Sequence, residues 1–191
     1  MQDPTTAVLG VLLAAGRGSR FGDRVHKLLA PLRGSTVIDH SVRALVDSGL
    51  PAIVVTGAAD VSGHLAGLAE VHNETWDTGQ RGSVECAISW ARDHGFSAVV
   101  IGLADQPFIG PAAWRAVAEC DSPVAVATYD GRPGNPVKLS SETWDAFLAF
   151  DSDPDKGARP FIDMHPELVR QVACEGKSVD IDTEGDLSQW T

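Results

Sequence analysis

Val8-Leu9-Gly10-Val11-Leu12-Leu13-Ala14-Ala15-Gly16-Arg17-Gly18-Ser19-Arg20-Phe21-Gly22 is the stretch that decides how this chain folds. Val8–Leu13 is an unbroken apolar run, the pattern of a strand buried on both faces. No basic stretch precedes the run, which therefore reads as a first strand rather than a signal peptide or membrane span. The glycines that follow let the backbone turn tightly and aim several N–H groups at an anion. The small side chains of Ala14 and Ala15 leave room for a flat base or a ribose. Arg17 and Arg20 offer charge-assisted bonds to phosphate oxygens, and Lys27 lies close enough in sequence to join them. A plain strand-to-helix turn with solvent-facing basic residues fits the same segment. The spacing G-x-G-x-x-x-G is one residue too long for a dinucleotide fingerprint, and no G-K-S/T end marks a Walker A loop.

Outward from this stretch, helical and strand patterns alternate. Helix patterns cover Val37–Val46, stopped by Gly49, then Val61–Leu68, Val84–Arg92 behind a Ser83 N-cap, Pro111–Ala118, Thr143–Phe150 and Gly157–Met164. Strand patterns cover Ala52–Thr56, the neighbourhood of Val71, Ala98–Leu103, Val124–Thr128, Val137–Leu139, Val169–Val172 and Val179–Ile181. Asn73–Gly82 and Asp130–Pro136 read as loops. Thr183 caps a last helix, with Glu184 and Asp186 in its first turn. The alternation predicts an α/β fold with a largely parallel sheet and helices on both faces. Residues 1–191 contain no repeat, low-complexity tract or linker, so a single domain is expected.

A formal net charge of −11 argues against a nucleic-acid groove or an anionic membrane surface. A small anionic substrate remains compatible, held in a local pocket of placed Arg and Lys. Cys86, Cys120 and Cys174 are odd in number and contain no C-x-x-C pair, so neither zinc nor a disulfide framework is expected, and reduced thiols in the cytoplasm are. The histidines lack metal spacing and no G-x-S-x-G elbow occurs. Among the dispersed tryptophans, Trp76 stands out by its place in a polar loop.

Other candidates lie downstream. Asp105 follows the strand Ala98–Leu103, at the sheet edge where open parallel sheets bind ligands, and suits Mg²⁺ between phosphates. Asp180 and Asp182 flank Ile181, and strand alternation would place both on one face, where a cation relieves their repulsion. Both aspartates equally suit a solvated strand end. Gly79-Gln80-Arg81-Gly82-Ser83 feeds a helix N-terminus that can offer N–H groups to a base or phosphate. Gly134-Asn135-Pro136-Val137 and Lys156-Gly157-Ala158-Arg159 suit a second anionic substrate.

Taken in order, these segments resemble the MobA-like nucleotidyltransferases, and within them the molybdenum cofactor cytidylyltransferase branch. The resemblance rests on Leu13-Ala14-Ala15-Gly16-x-Gly18-x-Arg20-x-Gly22, Lys27-Leu28-Leu29-Ala30-Pro31-Leu32, Gly79-x-x-Gly82-Ser83 and Leu103-Ala104-Asp105-Gln106-Pro107. It continues through Gly134–Val137, Asp155–Arg159 and Asp180-Ile181-Asp182-Thr183. It implies a Rossmann-like three-layer sandwich of the nucleotide-diphospho-sugar transferase type, with a mostly parallel, mixed sheet. It also implies Mg²⁺-dependent transfer of a nucleotidyl group, CMP from CTP, to a phosphorylated acceptor such as molybdopterin, with release of pyrophosphate. Leu13, Ala14, Ala15, Gly16, Arg17, Gly18, Ser19, Arg20 and Lys27 would then hold the nucleotide, with Gly82, Ser83 and Asp105. Lys27, Arg20 and Asp105 would carry catalysis. Asp105 would bind the metal, completed by Asp180 or Asp182, and Asn135, Gly157 and Arg159 would face the acceptor. The chain departs from the family pattern in two places. Asp23-Arg24-Val25-His26 is a longer spacer before Lys27, and Asp153-Pro154-Asp155 replaces a plainer lead into Lys156. GTP or a sugar phosphate would be alternative substrates. A flavin- and nicotinamide-dependent oxidoreductase of the nicotine blue type, or a non-catalytic nucleotide-binding scaffold, are alternative functions.

Overall fold

The computed structural model describes residues 7–22 and 25–190. The opening apolar run forms strand β1 (Val8–Ala14), whose residues from Leu9 onward are all buried. Its neighbours are β4 (Ala52–Thr56) and β6 (Ala98–Leu103), both parallel to it. A small hairpin, β2 (Pro31–Leu32) with β3 (Ser35–Thr36), precedes helix α1 (Val37–Asp47), which carries the chain from β1 to β4. β5 (Ala69–His72), β7 (Val124–Tyr129), β8 (Arg132–Ser140) and β9 (Val169–Ala173) complete one seven-stranded sheet in the order β5-β4-β1-β6-β8-β7-β9. Only β8 runs against the others.

Helices cover both faces, giving three layers. α1 and α3 (Pro111–Ala118) bury Ile38, Leu45, Trp114 and Val117 with Leu12 and Val100. α2 (Gln80–Asp93), α4 (Ser141–Ala149) and α5 (Arg159–Met164) bury Ile88, Trp144 and Phe161 with Val11 and Val99 on the other face. β1 and β6 therefore feed both cores, which is why they are apolar throughout rather than alternating. Among the described residues no helix is long and apolar enough to cross a membrane.

The sequence pattern and the structure part in five places. Val61–Leu68 forms only a 3₁₀ turn at Ser62–His64, because Ala66 and Gly67 turn left-handed with φ of 50° and 82°. α2 starts at Gln80, not after Ser83. Gly79 is its N-cap, and Ser83 lies buried within the helix, where its hydroxyl accepts from Asn73 Nδ2 at 3.1 Å. The expected loop Asp130–Pro136 shrinks to Asp130-Gly131, both at positive φ, as a two-residue hairpin requires. β8 then runs through Gly134–Pro136, and a register shift at Val126/Ala127 accommodates the proline. Gly157, at φ 56°, separates a 3₁₀ turn Pro154–Lys156 from α5, which shortens the helix expected over Gly157–Met164. Val179–Ile181 joins no sheet. It crosses the end of β6, where Ile181 N donates to Asp105 O at 2.9 Å. The short final helix α6 (Glu184–Ser188) is capped by Thr183 as its sequence predicts.

α1 shows how a local signal settles a boundary. Thr36 and Asp39 form a capping box: Asp39 N donates to Thr36 Oγ1, and Asp39 Oδ2 accepts from Thr36 N at 2.9 Å. Asp39 also accepts from Ser35 Oγ and pairs with His64 Nδ1 at 2.9 Å. Burial opposes its ionisation, yet the bonds from Thr36, His64 and Ser35 hold its carboxyl well below the ordinary 3.8. Its contribution is therefore present above that ordinary value and lost as pH falls toward the depressed one. Asp39→Ala should cost about 1 kcal/mol at neutral pH. In urea unfolding that deficit should shrink once the pH drops below the ordinary carboxylate value; a constant deficit would refute the assignment.

Candidate active site

The glycine loop leaves the C-terminal edge of β1, beside the end of β6, where Ala104 N donates to Leu13 O at 3.0 Å. Asp105 thus lies directly beside the loop. The loop borders a cleft of about 860 Å³ lined by Leu13 to Arg20, Lys27, Trp76, Gln80, Ser83, Asp105, Asp180 and Asp182. A second cleft of about 720 Å³ opens on the side of β8 and α5. Leu13, Gln80, Leu103 and Asp180 line both, so the two spaces share a wall.

Lys27 lines the first cleft. Its Nζ donates to Asp105 Oδ2 at 2.5 Å and to Asp182 Oδ1 at 2.7 Å. Burial alone would lower its pKa; Asp105, with help from Asp182, outweighs this and holds the ammonium above its ordinary 10.5. The long spacer does not keep Lys27 away. Asp23 and Arg24 lie outside the described residues, but His26 Nε2 bonds Gly16 O at 3.0 Å and Lys27–Leu29 is a 3₁₀ turn. Gly18 makes the return possible. It sits at φ 66°, and a Cβ there would stand 3.0 Å from Lys27 Cγ. Arg20 reaches Asp182 at 3.6 Å from an exposed position. Arg17 stacks 5.3 Å from the Trp76 ring centroid.

The cleft is lined by five carboxylates, those of Asp77, Asp105, Asp155, Asp180 and Asp182, against the three cations of Arg17, Arg20 and Lys27. A polyphosphate entering alone would meet net repulsion. Asp105 Oδ1 is buried and has no hydrogen-bond partner among the described residues. An unpartnered carboxylate oxygen of this kind costs desolvation energy unless a ligand completes it. Burial, and then Asp105, push the Asp180 carboxyl above its ordinary 3.8. No group of three or more His, Cys, Asp or Glu among the described residues is arranged to hold a metal by itself. A divalent cation held by Asp105 and one further carboxylate, together with phosphate oxygens and water, would not need such a group.

The second cleft differs in character. Its floor is apolar, from Ile101, Val126, Val137, Ile162 and Val169, and Lys156, Arg159 and Asn135 also line it. Most of the sites expected from sequence therefore converge on the two clefts. Gly82 and Gly157 do not line either one. Gly82 lies within α2 against the Asn73, Thr75 and Thr78 side chains, and Gly157 lies under Gln80. The sequence reading gave no role to Gln80, Asp77 or Asp155. Gln80 sits at the start of α2 because Gly79, at φ 124°, packs where a Cβ would meet Pro154 C and O at 2.6 Å. That contact joins the mouth of the first cleft to the loop of the second. Gly57 lets both Trp76 and the Ala15 carbonyl approach it: a Cβ there would stand 2.5 Å from Trp76 Cβ and 2.8 Å from Ala15 O.

Residues 10–171 match the model of the MobA-like NTP transferase domain. The chain belongs to that family. The family is one of nucleotidyltransferases, which in general join a nucleoside triphosphate to a phosphorylated acceptor. Among its relatives is the nicotine blue oxidoreductase of Paenarthrobacter nicotinovorans, 28% identical, with the match covering 92% of each chain. Two solved structures share its fold along nearly the whole length. A nucleotidyl transferase from Methanothermobacter thermautotroptrophicus (Mth528) has a TM-score of 0.80 at 27% identity, covering 96% of this chain and 95% of that one. Rv0371c from Mycobacterium tuberculosis H37Rv has a TM-score of 0.84 at 27% identity, covering 97% of each. Rv0371c has also been solved as a manganese complex, which matches at 26% identity and a TM-score of 0.80, covering 97% of this chain and 98% of that one. The family and the Rossmann-like sandwich agree with the expectation from sequence.

Proposed function

We propose that this chain transfers a nucleoside monophosphate, CMP from CTP, to a phosphorylated acceptor with a flat ring system, molybdopterin being the reading carried by the family resemblance. The observation behind the transfer chemistry is Lys27 held between Asp105 and Asp182 directly beneath the glycine loop. An acceptor phosphate oxygen bonds the α-phosphorus as the bond to the bridging oxygen breaks, and pyrophosphate leaves. The acceptor phosphate is ionised near neutral pH, so the barrier is chiefly repulsion between anions and charge on the departing group. Positioning and preorganised charge are then the main sources of rate.

In this reading the loop backbone from Leu13 to Ser19 cradles the phosphates, and Lys27 and Arg20 turn toward them. Ser83 and the N-terminal turn of α2 face the nucleoside. Asp105, with Asp180 or Asp182, would hold Mg²⁺, which when bound supplies positive charge to the phosphates. The apolar side chains of Ile101, Val126, Val137, Ile162 and Val169 offer a flat ring a surface to pack on, and Lys156 and Arg159 are placed to meet its anionic group. The free thiols of Cys86, Cys120 and Cys174 favour the cytoplasm.

A pyrophosphate-release assay crossing four nucleoside triphosphates with molybdopterin and sugar phosphates, with and without Mg²⁺, tests this. The expected result is release only with Mg²⁺, fastest with CTP and molybdopterin. No release with any pair would refute transfer. The relationship to nicotine blue oxidoreductase supports a second reading, in which the loop binds a flavin or nicotinamide cofactor. A yellow protein with a flavin absorption spectrum and NAD(P)H oxidation would favour that reading instead.

A further inference from the structure

Gln106 follows Asp105 at the turn where β6 ends. Its side chain is 4% exposed, and both ends of its amide are engaged. Nε2 donates to Asp180 Oδ1 at 2.8 Å and lies 3.5 Å from Ser178 Oγ. Oε1 accepts from Asn135 Nδ2 at 3.1 Å. Asn135 O in turn accepts from Tyr129 Oη at 2.7 Å, and burial pushes the Tyr129 hydroxyl well above its ordinary pKa, so it stays a donor. An ionised carboxylate can only accept. Asp180 therefore fixes which end of the Gln106 amide faces it, and Gln106 then fixes the amide of Asn135.

This chain of bonds matters because of where Asp180 sits. The segment that carries it has no strand partner, and Asp180 lines both clefts. Among the described residues its backbone ties include Ile181 N to Asp105 O, Lys177 N to Phe108 O at 3.5 Å and a bridge between Ile109 and Gly176, none of them made by Asp180 itself. A carboxylate on such a segment needs a side-chain partner to hold one orientation. Asn135 belongs to the second cleft, so the bonds also connect the two binding spaces.

We infer that Gln106 is a positioning residue: it holds Asp180 at the wall between the clefts, in the orientation that a nucleotide-bound divalent cation requires. The inference rests on the nucleotidyl-transfer reading. Partners behind a metal-binding carboxylate typically matter by roughly 10–100-fold in metal affinity or activity.

The test is Mn²⁺ affinity, read by electron paramagnetic resonance with a non-hydrolysable CTP analogue, in wild type, Gln106→Leu, Asp180→Asn and the double variant. Gln106→Leu should weaken Mn²⁺ binding by about tenfold or more and lower kcat with little change in nucleotide KM. The double variant should bind Mn²⁺ no worse than Asp180→Asn alone, since Gln106 then has no carboxylate to position. Unchanged Mn²⁺ affinity in Gln106→Leu overturns the inference, as do additive losses in the double variant. Should Gln106→Leu not fold, Asn135→Ala removes only the far end of the chain, and a smaller Mn²⁺ loss in the same direction is expected; no loss overturns it. A wild-type protein that binds no Mn²⁺ with nucleotide and releases no pyrophosphate overturns the nucleotidyl-transfer reading, and the inference with it.

Discussion

Asp105→Asn should slow pyrophosphate release by roughly 10²–10³-fold, the scale of losing one preorganised charge stabiliser. The substitution keeps the shape of the side chain and removes its charge. Asp105 stands where β6 ends, with one oxygen on Lys27 and the other buried without a partner among the described residues. An asparagine would place an N–H₂ group against the Lys27 ammonium or at the buried position of Oδ1. Either orientation loses the anion on which the proposed metal site depends. The measurement is steady-state release across a Mg²⁺ titration. A curve superimposable on wild type would refute the assignment of Asp105 as metal ligand.

Lys27→Met should be as slow, by roughly 10²–10³-fold, and should also destabilise the fold. Removing the lysine leaves Asp105 and Asp182 facing one another across the place where Nζ sat. Breaking a buried pair by deleting one partner costs about 3 kcal/mol or more when fully enclosed, and somewhat less here because Asp182 opens to the cleft. The raised Lys27 pKa means that its contribution is fully present below 10.5 and lost as pH climbs through the raised value, so the deficit should be flat around neutrality. Millimolar Mg²⁺ should restore part of the stability of Lys27→Met and do little for wild type without nucleotide, because a divalent cation then replaces the missing ammonium. Urea unfolding with and without Mg²⁺ reads this. A variant as stable as wild type and indifferent to Mg²⁺ would show that Lys27 does not neutralise the pair.

Much of the fold was legible. Ala52–Thr56, Ala98–Leu103 and Pro111–Ala118 lie where their patterns put them, because each combines a strong apolar period with a clear boundary residue. The misses have different causes. The Val61–Leu68 pattern yields to a left-handed Ala66-Gly67, and Ser83 gives up the N-cap because Gly79 can turn at φ 124° against Pro154. Only the second depends on a packing partner distant in sequence; the turn at Ala66-Gly67 is local, and a Cβ on Gly67 would meet nothing within 4 Å. Within the candidate site, Asp105, Lys27 and the loop stood out by residue type and order. Gln106 did not, although it lies next to Asp105, since an amide acquires meaning only from what it bonds.

The sequence by itself determined the sheet-forming runs, the glycine loop after β1 and the family, because these depend on local periodicity and on residue types in fixed order. The tertiary structure alone decided that Lys27 spans Asp105 and Asp182, residues 78 and 155 positions away along the chain. It also decided that Asp180 turns to Gln106 while Asp182 turns to Lys27. Strand alternation would have placed these two carboxylates on one face. Off the sheet, the pleat no longer dictates direction, and hydrogen bonds from Gln106 at the end of β6 and from Lys27 aim each of them separately.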